Sequence, residues 1–331
     1  MGSPSNSLCG TGAINRPPIV PLLISVLQWL NSQLTVIPSL LRLVSIVEKY
    51  PREFSIFLGP GLFSDIGKKP RDILNANYTT DHKLSINTCS ESGVALTSTA
   101  VKRGGISAGD VTAKYKYNNT LFDVKFDTNS NILTTIILNE IVPSTKAIAS
   151  LRLPDYNSGR LELQYFHQHM TIAAAAGLNK SPLVDISAAV GTATIAFGAE
   201  AGYDVTTGNL TKYTAGIGVS KPDQYASVIL GDKGDSIRAS YVHYLDSLKR
   251  TTAVLEIFRK FSSNENIVTV GGTYAIGHLT LVKGKLNNNG KLGAVLQHEI
   301  IPKSLMSISG EIDTKALERA PKFGLSIALS P

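Results

Sequence analysis

The sequence predicts an all-β protein, a transmembrane β-barrel, on three observations. First, apolar and polar residues alternate with a period of two from about residue 80 to the C-terminus, so that each strand has one apolar face. Second, clusters of Asn, Asp, Gly, Pro and Ser interrupt the alternation at short intervals, as in an antiparallel meander. Third, roughly 250 residues in such hairpins give more strands than a small soluble barrel needs, and a ring that wide cannot fill its interior with side chains.

The alternation is clearest in two consecutive segments. In residues 111–117 the odd-numbered residues are apolar and the even-numbered ones are Thr or Lys, and in residues 122–127 Phe or Val alternates with Asp or Lys. A soluble sandwich or lipocalin-like barrel would turn the apolar faces inward, whereas a membrane barrel turns them to lipid. The polar faces carry many Lys, Asp and Glu, which suits a wet lumen, and only a closed ring satisfies every backbone group in lipid.

Composition narrows the class of protein further. Of the 331 residues, 43% are apolar and 17% are charged, which excludes a disordered chain and does not fit a bundle of membrane helices. The formal net charge of +7 permits an anionic partner, such as nucleotides, nucleic acid or acidic lipid, without choosing among them. The two cysteines, Cys9 and Cys89, exclude a disulfide framework and an all-cysteine metal site.

Residues 1–56 differ from the rest and are treated as a separate apolar extension. Residues 19–30 and 34–47 are nearly continuous apolar runs, but Pro21 and Pro38 interrupt them. Neither run reaches the 18 or so uncharged residues of a good membrane-spanning helix. A membrane anchor, a targeting segment and a tail without a dedicated function remain open, and the sequence favours the last.

The sequence indicates no enzyme, no cofactor and no metal site. Gly105–Gly109 has the G-x-S-x-G spacing of a nucleophile elbow, which must open a helix, but residues 110–117 alternate as a strand and predict a turn instead. His167 and His169 share one strand face, yet the sequence places no third metal ligand beside them.

Both ends of the region from residue 57 to residue 331 resemble a known family. Gly59–Lys69, with Arg-Asp-Ile-Leu at 71–74, resembles the start of plant-type mitochondrial porins, the voltage-dependent anion channels. Pro302–Leu305 and Ser309–Ala316 look like the C-terminal region of that family. Three segments between these two ends are also porin-like: Leu153–Asp155, Glu162–His167 and Leu230–Gly234. The matching segments follow one another in the same order as in the family, without large gaps.

The resemblance implies a 19-stranded barrel over residues 79–331, with a pore-lining helix and hinge at residues 57–78 inside it. It also implies a voltage-gated, weakly anion-selective channel of the mitochondrial outer membrane for nucleotides such as ATP and ADP, phosphate and other small anions. The last strand matches the family's sorting pattern, which implies insertion by the outer-membrane assembly machinery. The matching residues are Lys322, Gly324, Ile327 and Leu329.

Charged residues of the helix and the wall are the candidates for selectivity and gating. A wide aqueous pore selects through fixed charges, which raise the local concentration of the opposite ion. Three acidic residues, Glu162, Asp123 and Asp127, oppose the positive charge of the candidate cations, so weak selectivity is expected. Gly59 and Gly61 are the candidate hinge. The candidates are Lys68, Lys69 and Arg71 on the helix, for pore lining and nucleotide contact, and Lys114, Lys116, Lys125, Arg238, Lys283 and Lys285 in the lumen.

The sequence departs from the family pattern at three places. Ile56–Leu58 stands where a methionine start is expected. Pro70 replaces a good helix former, and since an interior proline costs about 3 kcal/mol or more, we expect the helix to break after Lys69. Ala76 occupies a position that often carries a lysine implicated in nucleotide interaction.

Partners implied by the resemblance are membrane lipids, permeating anions and nucleotides, a homo-oligomer and docked cytosolic kinases, with nucleic acid not a primary partner. Three alternatives remain open. They are a related barrel of the protein-import machinery, a non-conducting porin-like interaction protein, and a soluble barrel that binds a lipophilic ligand.

Overall fold

The computed structural model describes residues 59–316, 318 and 320–330. The extension at residues 1–56, with its three open interpretations, lies outside the described residues. The described chain begins with a short helical segment and continues as strands to its end. No helix in this part of the chain has the length and apolar character needed to cross a membrane.

The helical segment consists of a 3-10 turn, Phe63–Asp65, and the eight-residue helix α1, Lys68–Asn75. Nineteen strands follow. Their bounds are β1 His82–Cys89, β2 Val94–Arg103, β3 Ile106–Tyr117, β4 Thr120–Asp127, β5 Ile132–Asn139, β6 Thr145–Leu153, β7 Arg160–Phe166, β8 Met170–Gly177, β9 Leu183–Gly191, β10 Ile195–Asp204, β11 Asn209–Ser220, β12 Gln224–Gly231, β13 Ser236–Tyr244, β14 Thr252–Lys260, β15 Glu265–Ala275, β16 Thr280–Asn287, β17 Lys291–Ile301, β18 Ser304–Asp313 and β19 Lys322–Leu329.

The strands form one closed sheet, which confirms the 19-stranded barrel. Each strand pairs antiparallel with the next one along the chain, and β1 pairs with β19 to close the ring. An odd number of alternating strands leaves the first and last pointing the same way, so this pair is parallel, with His82 opposite Leu325 and Ile86 opposite Leu329. Closure gives every strand two neighbours and removes the free edges of the sheet.

The two faces of the wall follow the alternation expected from the sequence. On β3, Val111 and Tyr117 are 45% and 51% exposed on the outer face, while Lys114 and Lys116 lie on the inner face with the polar set. The outer face also exposes Phe197 and Val270, as a surface in contact with lipid requires. Gly104 and Gly105 form the tight turn between β2 and β3, whereas Ile106–Gly109 already belong to β3, so the turn expected at the G-x-S-x-G sequence is limited to its first residue.

The expected break of the helix after Lys69 is wrong. α1 runs through Pro70, which is its third residue and is fully buried. The N–H groups of a first helical turn have no partner within the helix, so proline removes no bond there. The helical segment is interrupted earlier, at Gly67, whose φ of 75° is left-handed and caps the start of α1.

We predict that a charge on the outer face destabilises the barrel. Val270→Arg, near the middle of β15, should lower the free energy of unfolding in lipid vesicles by about 2–4 kcal/mol, because it places a cation in hydrocarbon. The matched control is Thr269→Arg, one residue earlier on the inner face. Equal losses for both variants in urea unfolding would contradict the assignment of the faces.

Candidate pore and its charged lining

The helical segment crosses the lumen from one end of the barrel to the other. Gly59 lies beside the turn between β7 and β8, where a Cβ would be 2.8 Å from the His167 carbonyl oxygen. β1 and β7 run in the same direction, so this turn and the start of β1 lie at opposite ends. The chain between them contacts β9 and β10 through its 3-10 turn and β13–β16 through α1.

Apolar side chains attach the segment to the inner wall. Leu74 is buried in a cluster with Tyr225, Val242 and Val254. Phe63 and Ile66 form a second cluster with wall residues of β10 and β12. Because both clusters lie on the wall side, the opposite face of α1, with Lys68 and Arg71, is directed to the lumen.

Tyr225 also makes the polar attachment of α1. Its hydroxyl accepts a hydrogen bond of 2.7 Å from the Gly67 N–H, at the start of the helix. The Lys69 ammonium group lies 4.9 Å from the centre of the Tyr225 ring and donates a 3.1 Å hydrogen bond to the Ser220 hydroxyl. Burial, followed by the positive charge of Lys249, lowers the pKa of Lys69 from its ordinary value.

The structure therefore separates the three predicted helix cations. All three are exposed, and Lys69 is directed to the wall by its hydrogen bond to Ser220. Lys68 lies 3.7 Å from the Asp65 carboxylate, an exposed pair that contributes little to stability.

A basic cavity of about 380 Å³ lies between α1 and strands β13–β16. Four cationic residues line it: Lys69, Lys249, Arg250 and Lys283. Arg250 donates 2.8 Å hydrogen bonds to the carbonyl oxygens of Gly277 and His278, which fixes its guanidinium group. Lys249 and Arg250 lie in the turn between β13 and β14 and were not among the sequence candidates. Their adjacency in the sequence was the available signal.

The lumenal candidates divide into paired and unpaired cations. Lys114 lies 3.3 Å from Asp123, Lys125 lies 3.3 Å from Asp110, and Arg238 lies 3.0 Å from Glu256. Among the described residues, Lys116, Lys283 and Lys285 form no salt bridge. A passing ion meets a nearly neutral surface at the paired groups and a positive field at the unpaired ones.

Residues 59–324 match the eukaryotic porin family. The chain belongs to this family. Mitochondrial outer membrane protein porin 2 of Arabidopsis thaliana is 63% identical over 273 residues, which are 82% of this chain and 99% of the relative. Mitochondrial outer membrane protein porin 5 of Oryza sativa is 55% identical and the outer plastidial membrane protein porin of Pisum sativum is 46% identical, over the same shares.

The C-terminal strand of this porin carries the proposed sorting residues on two faces. Lys322 and Gly324 pair with the inward-facing Glu311 and Ser309, whereas Ile327 and Leu329 lie on the apolar outer face. The backbone of Thr79 passes directly over Gly324, so that a Cβ at this position would overlap the Thr79 carbonyl oxygen. Gly324 therefore has a structural reason to be glycine, in addition to any role in sorting.

We predict that the Tyr225 hydroxyl holds α1 on the wall of the porin. Tyr225→Phe keeps the ring under Lys69 and Leu74 but leaves the Gly67 N–H without its acceptor, which costs about 1 kcal/mol. Hydrogen exchange of residues 67–75 should accelerate about fivefold, since 1 kcal/mol corresponds to about that ratio. Tyr241→Phe on the outer face is the control, and equal exchange in both variants would contradict the attachment.

Proposed function

We propose that this porin is a voltage-gated, weakly anion-selective channel of the mitochondrial outer membrane, through which small hydrophilic metabolites diffuse passively. One observation carries the proposal: a closed ring of nineteen strands, apolar outside and charged inside, in a chain of the eukaryotic porin family. Porins are channels, and a relative that is 63% identical is named for the mitochondrial outer membrane.

The width of the ring supports diffusion of whole metabolites. Barrel diameter grows with strand number, and rings of sixteen to eighteen strands leave an aqueous channel. The helical segment occupies part of the lumen on the side of β9–β16 and narrows it there. Nucleotides, phosphate and organic anions are the expected solutes.

Unpaired cations support a preference for anions. The basic cavity beside α1 carries four of them, with Asp72 as the acidic neighbour of Lys283, and Lys116 and Lys285 add two more on the wall. The paired groups on β3, β4, β13 and β14 contribute little net field, so the selectivity is weak. Lys68, Arg71 and the cavity are the proposed contacts for a nucleotide, since Ala76 offers no charge.

α1 supports a role in gating. It carries Lys68, Lys69 and Arg71 against Asp72, and moving one elementary charge through 100 mV is worth about 2.3 kcal/mol. Gly59 and Gly61 are the proposed hinge, and Gly61 has a φ of 75°. Deformation of the whole barrel is the other route to closure. A homo-oligomer and docked cytosolic kinases are proposed partners.

We predict that the unpaired cavity lysines set the anion preference. Lys249→Gln and Lys283→Gln, singly and together, should lower the anion-to-cation permeability ratio toward one, because each removes an uncompensated charge from the pore. The measurement is the reversal potential of the full chain in planar bilayers under a potassium chloride gradient.

The matched control removes a pair instead of a single charge. Lys125→Gln with Asp110→Asn deletes one cation and one anion that lie 3.3 Å apart, so the ratio should not change. A wild-type ratio of one, or an equal shift in the control, would contradict anion selection by unpaired charge.

A further inference from the structure

The segment after α1, Tyr78–Asp81, is held on the inner surface of the last two strands of the barrel, β18 and β19. We refer to it as the strap. The Thr79 carbonyl oxygen accepts a hydrogen bond from the Ser309 hydroxyl on β18 and lies over Gly324 on β19. The Asp81 carbonyl oxygen accepts from the Leu325 N–H at 3.2 Å. The strap therefore has contacts with β18 and with β19, one of the two strands that close the barrel.

An ion pair fixes the end of the strap. Arg103, at the end of β2, donates to both carboxylate oxygens of Asp81 at 2.6–3.0 Å. These hydrogen bonds and the charge of Arg103 lower the pKa of the Asp81 carboxyl below its usual range, so the pair persists in mildly acidic solution.

The Tyr78 ring lies flat against a glycine of β17. A Cβ at Gly293 would come within 3.0 Å of a Tyr78 ring carbon, so the ring needs glycine beneath it. The Tyr78 hydroxyl is buried without a hydrogen-bond partner among the described residues, and burial raises the Tyr78 pKa to about 12. Tyr78 therefore contacts its surroundings through its ring surface and not through its hydroxyl group.

Lys285 meets that ring surface. Its ammonium nitrogen lies 4.2 Å from the centre of the Tyr78 ring, within the range of a cation–π contact. Gly293 is the partner of Lys285 on β17, and Glu311 is the partner of Gly293 on β18, so the three residues form a row across three strands. The Tyr78 ring lies against Gly293, the middle residue of this row.

We propose that Tyr78 is a positioning residue for ion selectivity, because it holds the Lys285 ammonium group over its ring and keeps it from pairing with Glu311. The inference rests on the proposed channel function. Lys285 and Glu311 are two strands apart in this row, about 10 Å across the sheet, a gap that a flexible lysine side chain can close once the ring is gone. Glu256 is a second carboxylate that attracts Lys285, and Lys291 repels it.

The test measures reversal potentials of the full chain in planar bilayers under a potassium chloride gradient. Tyr78→Ala should shift the potential toward cation permeation, and by less than Lys285→Gln does, because the lysine moves back to the wall and pairs with Glu311 there while its charge stays in the barrel. Tyr78→Phe should leave it unchanged, since the hydroxyl has no partner. In a Glu311→Gln background, Tyr78→Ala should have no effect.

Two further variants keep the test decisive. Gly293→Ala places a Cβ within 3.0–3.1 Å of both the Tyr78 ring and the Lys285 Cε atom, so it displaces the two together and should shift the potential in the same direction as Tyr78→Ala. Tyr274→Ala removes an exposed tyrosine of the outer face and should have no effect.

The proposal is overturned if Tyr78→Ala leaves the potential unchanged, or if it shifts the potential equally in a Lys285→Gln background. Failure of the proposed channel function is distinguished by the wild-type recording, because the wild-type protein would then show no anion preference at all.

Discussion

Backbone hydrogen bonding in hydrocarbon requires a sheet without edges, and in this porin that requirement is met at the pairing of β1 with β19. Nineteen is an odd number, so the closing pair is parallel, and its register extends over only five residue pairs. Parallel pairing is slightly weaker per residue than antiparallel pairing. The strap leads into β1 beside this short seam and has contacts inside the barrel with β18 and β19.

The charged lumen and the helical segment depend on the same closure. A closed wall makes one face accessible only to the lumen, and on that face ion pairs between strands neutralise many of the fixed charges. α1 is short, and it is held by packing on Leu74 and by the Tyr225 hydroxyl more than by its own helix propensity. Its position leaves a small set of unpaired cations along the lumen.

Local sequence patterns predicted the strand faces and the turns, because alternation in residues 111–117 depends only on neighbouring side chains. The number of strands came from the family resemblance, since alternation does not count strands. The expectation for Pro70 was wrong because its cost depends on its place in the helix, which Gly67 sets. Strand register brings Lys125 beside Asp110, and long-range contacts bring Lys69 close to Lys249. No local sequence pattern contains this information.

Single-channel recording of the full chain in planar bilayers shows whether it forms an open, ion-conducting pore. We expect large, weakly anion-selective conductance steps that decrease at high voltage of either polarity. A protein with a β-rich circular dichroism spectrum that inserts into the bilayer and conducts nothing would contradict this expectation.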